Sequence, residues 1–388
     1  MDREIPLFTL VGVPNARVTT LPFSTADGLG LVLTRFTRDA GSPPTDAVLV
    51  IHGLTTSTDM FIMPEHYNLV RYLLDHGSRD VWCLDYRMSN RLPYNLHAHR
   101  YTMDDIALFD YPAAIAELRK HIGDRPIHVI SHCLGAVSFT MSVFGQAVRG
   151  VRSVVANSAA LTPRVPLWSL LKLSAAPFVV ERLLSQPYLS PSWSTDPGLT
   201  IGKLISKLAD LFHPECDVAA CHMLSVMWGT GWPALYHHAN LLPVTHRRGG
   251  DLYGGTGLNY YRHVRKMVLA GHAVKYDRKN PALAALPDDY LADAAEIATP
   301  MLLMTGAQNH VFTDSNIVCF EQLEAARPGR HRLQVIPGYG HQDVFMGKAV
   351  DRDVFPTLTR FIAANGDRIA TLRSDAPAAP QPNGTQAS

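Results

Sequence analysis

Ile127-His-Val-Ile130 runs straight into Ser131-His-Cys133-Leu-Gly135, and Ala136 and Val137 begin an apolar helical pattern at once. A short, continuous apolar run is the signature of a strand buried on both faces of a sheet. When such a strand turns directly into a helix, the two nearly touch, so the positions two before and two after the tip must be small. Ser131 and Gly135 meet that demand, and the tip is Cys133. By composition a small-x-(Ser or Cys)-x-Gly string arises about once in a chain of this length, so the strand and helix around it carry the argument. A thiol at the tip faces a helix N-terminus, which favours thiolate, the nucleophilic form. The competing reading is a buried, inert cysteine. Ser131 lies off the tip of the turn.

Working outward, Ala47-Val-Leu-Val-Ile51, Val81-Trp-Cys-Leu84, Ser153-Val-Val-Ala156 and Met301-Leu-Leu-Met304 repeat the buried-strand pattern. Residues 103–121 place Ile106, Phe109, Ala113, Ile115 and Leu118 roughly at helical spacing. Near the start, Asp27-Gly28 between two β-prone runs, 17–23 and 29–36, signals a hairpin. Alternating strands and helices predict an α/β fold: a mostly parallel sheet with helices on both faces. From about 161 to 298 the alternation fails, and the segment is rich in Trp, His, Pro and Gly. The expected organisation is a core of 1–160 and 299–371, with a helix at 350–363, an inserted cap at 161–298, and a disordered tail at 372–388.

Composition excludes several classes. Of the 388 residues, 47% are hydrophobic and 18% charged, values of an ordinary globular protein. A net charge of +1 gives no global field for nucleic acid, an acidic membrane surface or an anionic substrate. Cys83, Cys133, Cys216, Cys221 and Cys319 form an odd, scattered set, which reads as reduced thiols rather than a disulfide framework. With charges of both signs and no secretory apolar region at the N-terminus, the expected location is the cytoplasm. The most lipid-like stretch, 165–180, is interrupted by Lys172 and Pro177, so no transmembrane segment is expected. No Gly-rich phosphate loop or dinucleotide fingerprint follows a strand, and no cofactor is expected.

A nucleophile at the tip requires two backbone N–H groups for the oxyanion, normally the residue after it and one from the loop after an early strand. Leu134 and Leu54 hold those places, and Gly53 lets the chain turn the Leu54 amide inward. A general base should follow the last strand, where Val335-Ile-Pro-Gly-Tyr-Gly-His341-Gln-Asp343 supplies His341 on a Gly-rich turn. The group that orients it should follow strand 301–304. There Asn309 stands where an Asp is expected, with Asp314 as the alternative; Asp343 is too close in sequence to His341 and reads as structural. An amide can orient an imidazole when the nucleophile is a thiol. His213, Cys216, Cys221 and His222 form a Cys-x4-Cys with flanking histidines that could take zinc, but no second matching pair is present and no metal is expected. His97-Ala-His99 and His237-His238 read as loop or cap residues.

Together these residues resemble the α/β-hydrolase fold. His52-Gly-Leu-Thr-Thr-Ser-Thr-Asp, Asp80-Val-Trp, Asp104-Asp-Ile-Ala, Asp110-Tyr-Pro-Ala and Gly340-His-Gln-Asp-Val-Phe-Met-Gly347 are similar to the acid-lipase group. Leu84-Asp-Tyr-Arg-Met-Ser-Asn-Arg-Leu-Pro93, Ser131 to Gly135, Glu215-Cys216 with Cys221, Gly306 to Asn309, and Pro337-Gly-Tyr-Gly-His341 resemble something closer. These match the hydrolase region that follows some bacterial cholesterol-oxidase-like glucose-methanol-choline oxidoreductases. The resemblance covers about residues 17 to 365 and implies an ester hydrolase for lipid-like or sterol-linked substrates, with Cys133, His341 and the Leu54 and Leu134 amides carried over. Cys for Ser and Asn for Asp depart from the acid lipases, and no fused oxidoreductase is expected.

The leading expectation is a thiol esterase, with Trp168, Leu171, Phe178, Trp193 and Trp228 covering an acyl or sterol body, or else forming the cap's own core. The second is acyl transfer of the polyhydroxyalkanoate-synthase type, whose members also carry Cys at the tip. The third is a non-catalytic hydrolase-like scaffold that binds a ligand or a cholesterol-oxidase-like partner.

Overall fold

The computed structural model describes residues 11–38, 46–92, 101–186, 188–195, 197–212, 215–229 and 235–366. His97, His99, His213 and the 372–388 tail lie outside them. The chain builds an eight-stranded sheet in the order β1-β2-β4-β3-β5-β6-β9-β10. β1 (Arg17–Ser24) and β2 (Gly30–Thr37) form the antiparallel hairpin at the start, and β2 runs antiparallel to β4 (Asp80–Asp85). β3 (Ala47–Ile51), β5 (Ile127–His132), β6 (Ser153–Asn157), β9 (Met301–Gly306) and β10 (Arg332–Ile336) continue it in parallel. Every residue of β3, β4, β5, β6 and β9 is buried, as their continuous apolar runs require.

Helices α1 (Leu69–Asp75), α2 (Tyr111–Ile122) and α3 (Cys133–Phe144) fill the crossovers of the first half. The helix expected at 103–121 is present, with a π-helical turn at Ile106–Asp110. Pro112 lies in the first turn of α2. Its ring would collide with a carbonyl one regular turn back, and the wider turn relieves that clash.

Between β6 and β9 the described residues add nothing to the main sheet. They form α4 (Leu167–Phe178), α5 (Ile201–Phe212), α6 (Ala219–Trp228), the short α7 (Pro243–Arg247) and α8 (Leu258–Ala270), with a two-residue ribbon of β7 (Tyr188–Leu189) and β8 (Thr256–Gly257). Val180, Leu189, Trp193, Met223, Met227 and Tyr261 belong to a hydrophobic cluster of this segment, separate from the core around the sheet. After β9 come α9 (Ser315–Ala326), α10 (Asp343–Met346) and α11 (Phe355–Asn365). No helix among the described residues is long and apolar enough to cross a membrane.

The sheet order places the site. From β3 the chain moves to β4 on one side and then to β5 on the other, so a crevice opens at the carboxyl ends of β3 and β5, where strand order reverses. At that end α3 packs so tightly on β3 that a Cβ on Gly135 would lie 2.0 Å from the His52 carbonyl oxygen. Backbone cannot yield as a flexible side chain can. Gly135→Ala is therefore expected to cost about 3 kcal/mol or more in denaturant unfolding, and a loss under about 1 kcal/mol would show that α3 can back away from β3.

Candidate active site

Cys133 sits at the junction of β5 and α3 with φ +54°, one of few non-glycine residues in the left-handed region. That conformation costs roughly 1–3 kcal/mol and persists only where the surroundings over-determine it. Here Gly53 crosses directly above: a Cβ there would lie 3.0 Å from the Cys133 Cβ. Ser131 is held on the sheet by donating its hydroxyl to the Val155 carbonyl at 2.9 Å. The Leu54 and Leu134 amides both face the Cys133 sulfur. The loop carrying Leu54 is pinned from β4: Tyr86 donates to the His52 carbonyl at 3.1 Å, and Asp85 accepts from the Thr58 amide at 2.9 Å.

His341 reaches the same point from the loop after β10. One of its ring nitrogens and one of those of His132 lie within 4.8 Å of the Cys133 sulfur and of one another. His341 Nδ1 pairs with Asn309 Oδ1 at 3.1 Å. The Asn309 amide cannot be flipped, because Nδ2 donates to the Ser158 carbonyl at 3.0 Å and to Thr305 Oγ1 at 3.1 Å. Its Oδ1 also accepts from the Val311 and Phe312 amides, each at 3.1 Å. Oδ1 must thus receive a proton from His341 Nδ1, which leaves Nε2 as the basic nitrogen. The alternative orienter, Asp314, is ion-paired to Arg164 at 2.8 Å on the surface. Asp343 accepts from the Gly340 amide at 3.0 Å and from Asn240 Nδ2 at 2.7 Å, and so shapes the loop.

Several contributors escaped the sequence reading. His132 is locked neutral, Nε2–H donating to Gln342 Oε1 at 2.8 Å while Nδ1 accepts from Asn157 Nδ2 at 2.9 Å. Its ring centroid is 5.0 Å from that of His341. Ser158, with φ +63°, donates to the His341 carbonyl at 2.9 Å and accepts from Asn309, tying base to orienter. The only hint of His132 was its place beside the tip; Ser158 carried none.

Electrostatics correct the thiolate expectation. Cys133 is 8% exposed, and burial pushes its thiol up to about 12, more than the Leu134 and Leu54 amides pull it down. His341 is held well below its ordinary value, first by burial and then by His132. Both shifts favour the uncharged forms, a thiol and a neutral imidazole. The helix N-terminus does not overcome desolvation.

Beside this centre lies an apolar cavity of about 180 Å³, bounded by Leu134, Val311 and Phe312 on the core side and by α4, α6 and α8 on the other. Among the described residues Lys172 is the one charged side chain lining it; burial lowers its pKa to about 8, and its ammonium donates to the Val226 carbonyl at 2.9 Å. Of the aromatic and leucine residues expected to cover substrate, Trp228 lines the cavity, stacked on Tyr261 with centroids 4.8 Å apart. Trp193 is buried in the second cluster, and Trp168, Leu171 and Phe178 point to solvent. Of the histidines that flank Cys216 and Cys221 in sequence, His213 lies outside the described residues. His222 is engaged with Asp210 and the Cys216 carbonyl, and His238 and His246 approach the two thiols instead.

Residues 46–191 match the family described as the alpha/beta hydrolase fold. The chain has the α/β-hydrolase fold. Among solved structures it is similar to a highly thermostable carboxyl esterase from Bacillus coagulans in complex with glycerol, at 13% identity and a TM-score of 0.53, covering 90% of this chain and 98% of that one. It is also similar to DcsB in complex with its substrate analogue, at 12% identity and a TM-score of 0.51, over 90% of this chain and 99% of that one. The Pyrococcus furiosus esterase Pf2001 follows at 14% identity and a TM-score of 0.50, over 90% and 91%. At such identities the likeness is one of fold. No curated protein matches the chain.

Two outcomes are expected of this α/β-hydrolase-fold chain. Iodoacetamide labelling of Cys133 should rise about tenfold per pH unit between about pH 7 and 9 without a plateau, whereas a plateau near neutral pH would mean a preformed thiolate. Burial also lowers His52, His66 and His132 from 6.5 to about 4. Between those values the unfolded chain binds more protons than the folded one. Stability is then full above the unfolded value and falls as pH drops through the window, by roughly 2 kcal/mol per histidine at about pH 5. Urea midpoints at the two ends of the window read this directly, and equal midpoints would refute it.

Proposed function

We propose that the chain is a thiol-dependent carboxylic-ester hydrolase for lipid-like or sterol esters. The observation that carries this reading is one convergence: the Cys133 sulfur, the Leu54 and Leu134 amides facing it, and the His341 imidazole within 4.8 Å. Substrate displaces the sulfur from the two amides, and the ester carbonyl oxygen takes their hydrogen bonds. As Cys133 Sγ attacks the carbonyl carbon, its proton passes to His341 Nε2, so a free thiolate never has to exist in the buried site. Negative charge appears on the carbonyl oxygen, where the two amides hold it. His341 then protonates the departing alkoxide, leaving a thioester on Cys133. In the second half His341 takes a proton from water, the hydroxide adds to the thioester, and the acid and the neutral thiol are released.

Asn309 acts as a positioning residue. The apolar cavity beside Leu134 supports an acyl or sterol body in the substrate. The sequence resemblance to hydrolase regions following cholesterol-oxidase-like oxidoreductases adds such an enzyme as the partner, and the unpaired state of all five cysteines supports a cytoplasmic placement.

The test is p-nitrophenyl ester turnover across acyl lengths, with intact-mass detection of acylated protein. Cys133→Ala should lose about three orders of magnitude or more and take up no acyl mass. Asn309→Ala should lose roughly 10- to 100-fold in kcat with KM little changed, because the His341 tautomer is freed. Full activity of Cys133→Ala, or an inert wild type with unmodified Cys133, overturns the proposal. Acyl transfer to an added alcohol in preference to water would move the enzyme to the transferase class.

A further inference from the structure

We propose that Cys216, Cys221, His238 and His246 bind a structural zinc ion that clamps α6 and residues 235–247 against the loop carrying His341. The four ligand atoms lie within 4.8 Å of one another. Cys221 Sγ is 3.3 Å from His238 Nε2, and the His238 and His246 ring centroids are 4.7 Å apart at 67°. A zinc tetrahedron with Zn–S of about 2.3 Å and Zn–N of about 2.0–2.1 Å has edges of roughly 3.3–3.8 Å. A contraction of about an ångström closes the cluster.

Two further observations point to a ligand. His246 Nε2 is buried and has no hydrogen-bond partner, which costs free energy unless something occupies its lone pair. Cys216 and Cys221 are both unpaired although their sulfurs are close enough for both to belong to the cluster. Two thiols and two imidazoles in a closed set match tetrahedral zinc in preference to oxygen-seeking cations. The surroundings are organised as around a metal centre: His222 fixes the loop before α6 by donating to the Cys216 carbonyl at 2.6 Å, and is itself bound to Asp210 at 2.7 Å.

The position gives the ion a task. Asn240, between the two histidines, donates to the Gly338 carbonyl and to Asp343 Oδ2, each at 2.7 Å, and accepts from the Lys348 amide at 2.8 Å. The Gln342 amide donates to the Leu235 carbonyl at 3.1 Å. Holding His238 and His246 to α6 therefore holds the segment that braces both sides of His341.

The experiment is metal analysis of the freshly purified full chain, with cobalt titration of the reduced, metal-stripped protein. One zinc per chain is expected, and cobalt should give thiolate charge-transfer and tetrahedral d–d bands. Both should vanish in the Cys216→Ser/Cys221→Ser double variant and weaken in His246→Ala, while Cys133→Ser, which removes the nucleophile, keeps them. Chelation should lower the Tm by about 5 °C or more. The wild-type zinc count and cobalt spectrum need no variant to fold. A metal-free chain without cobalt bands, a Cys216–Cys221 disulfide found by mass spectrometry, or a metal lost from Cys133→Ser but retained by the double variant each overturns the proposal. None of these readouts depends on esterase activity.

Discussion

The close approach of α3 to the end of β3 governs the rest of the site. Because Gly135 lets the helix backbone lie against the His52 carbonyl, β5 must turn into α3 with no intervening loop, and that turn forces Cys133 into the left-handed region. The same contact sets the Leu134 amide at the helix start and brings Gly53 over the Cys133 side chain, so the Leu54 amide converges on the sulfur from the other strand. The placements of the Cys133 thiol and of the two amides that face it are thus consequences of one packing contact. Strain at Cys133 is sustained by the burial of β3 and β5 on both faces.

Burial also explains why Cys and Asn occur together here. Leaving water disfavours every charged form in the site, which raises the Cys133 thiol and depresses His341. A carboxylate at position 309 would place one oxygen against the Ser158 carbonyl, where Asn309 now donates a hydrogen bond. It would also add a buried charge with no cation facing it. An amide satisfies every neighbour without that cost. The favoured uncharged forms and the missing carboxylate are two sides of the same dry environment.

Much of this was legible in the sequence because it depends on local pattern. The five apolar runs became the fully buried strands, and the small residues around Cys133 marked the elbow. Leu54, Leu134, His341 and Asn309 could be placed by strand order, since each follows a strand end that the sheet brings to one crevice. The protonation state could not be placed so, because it depends on how deeply three-dimensional packing buries the tip. Ser158 and His132 act through contacts with residues far along the chain, and no local signal announces them. The Cys-x4-Cys pair was visible, but its histidine neighbours were sought nearby in sequence, while the fold brings His238 and His246 from the next segments.

Position of the base therefore depends on residues that no strand-based reading would include. Pro337 to Gly347 carries His341 between two supports. From the core, Ser158 holds the His341 carbonyl and Asn309 holds its ring. From the segment between β6 and β9, Asn240 and Leu235 hold the Asp343, Gly338 and Gln342 groups of the same loop. A loop rich in glycine gains definition only from such outside contacts, since Gly338 and Gly340 offer little stiffness of their own. The segment that supplies one wall of the apolar cavity is thus also a brace for the His341 imidazole. A change in how that segment packs would alter the cavity and the placement of His341 together, so the two properties cannot be tuned independently in this fold.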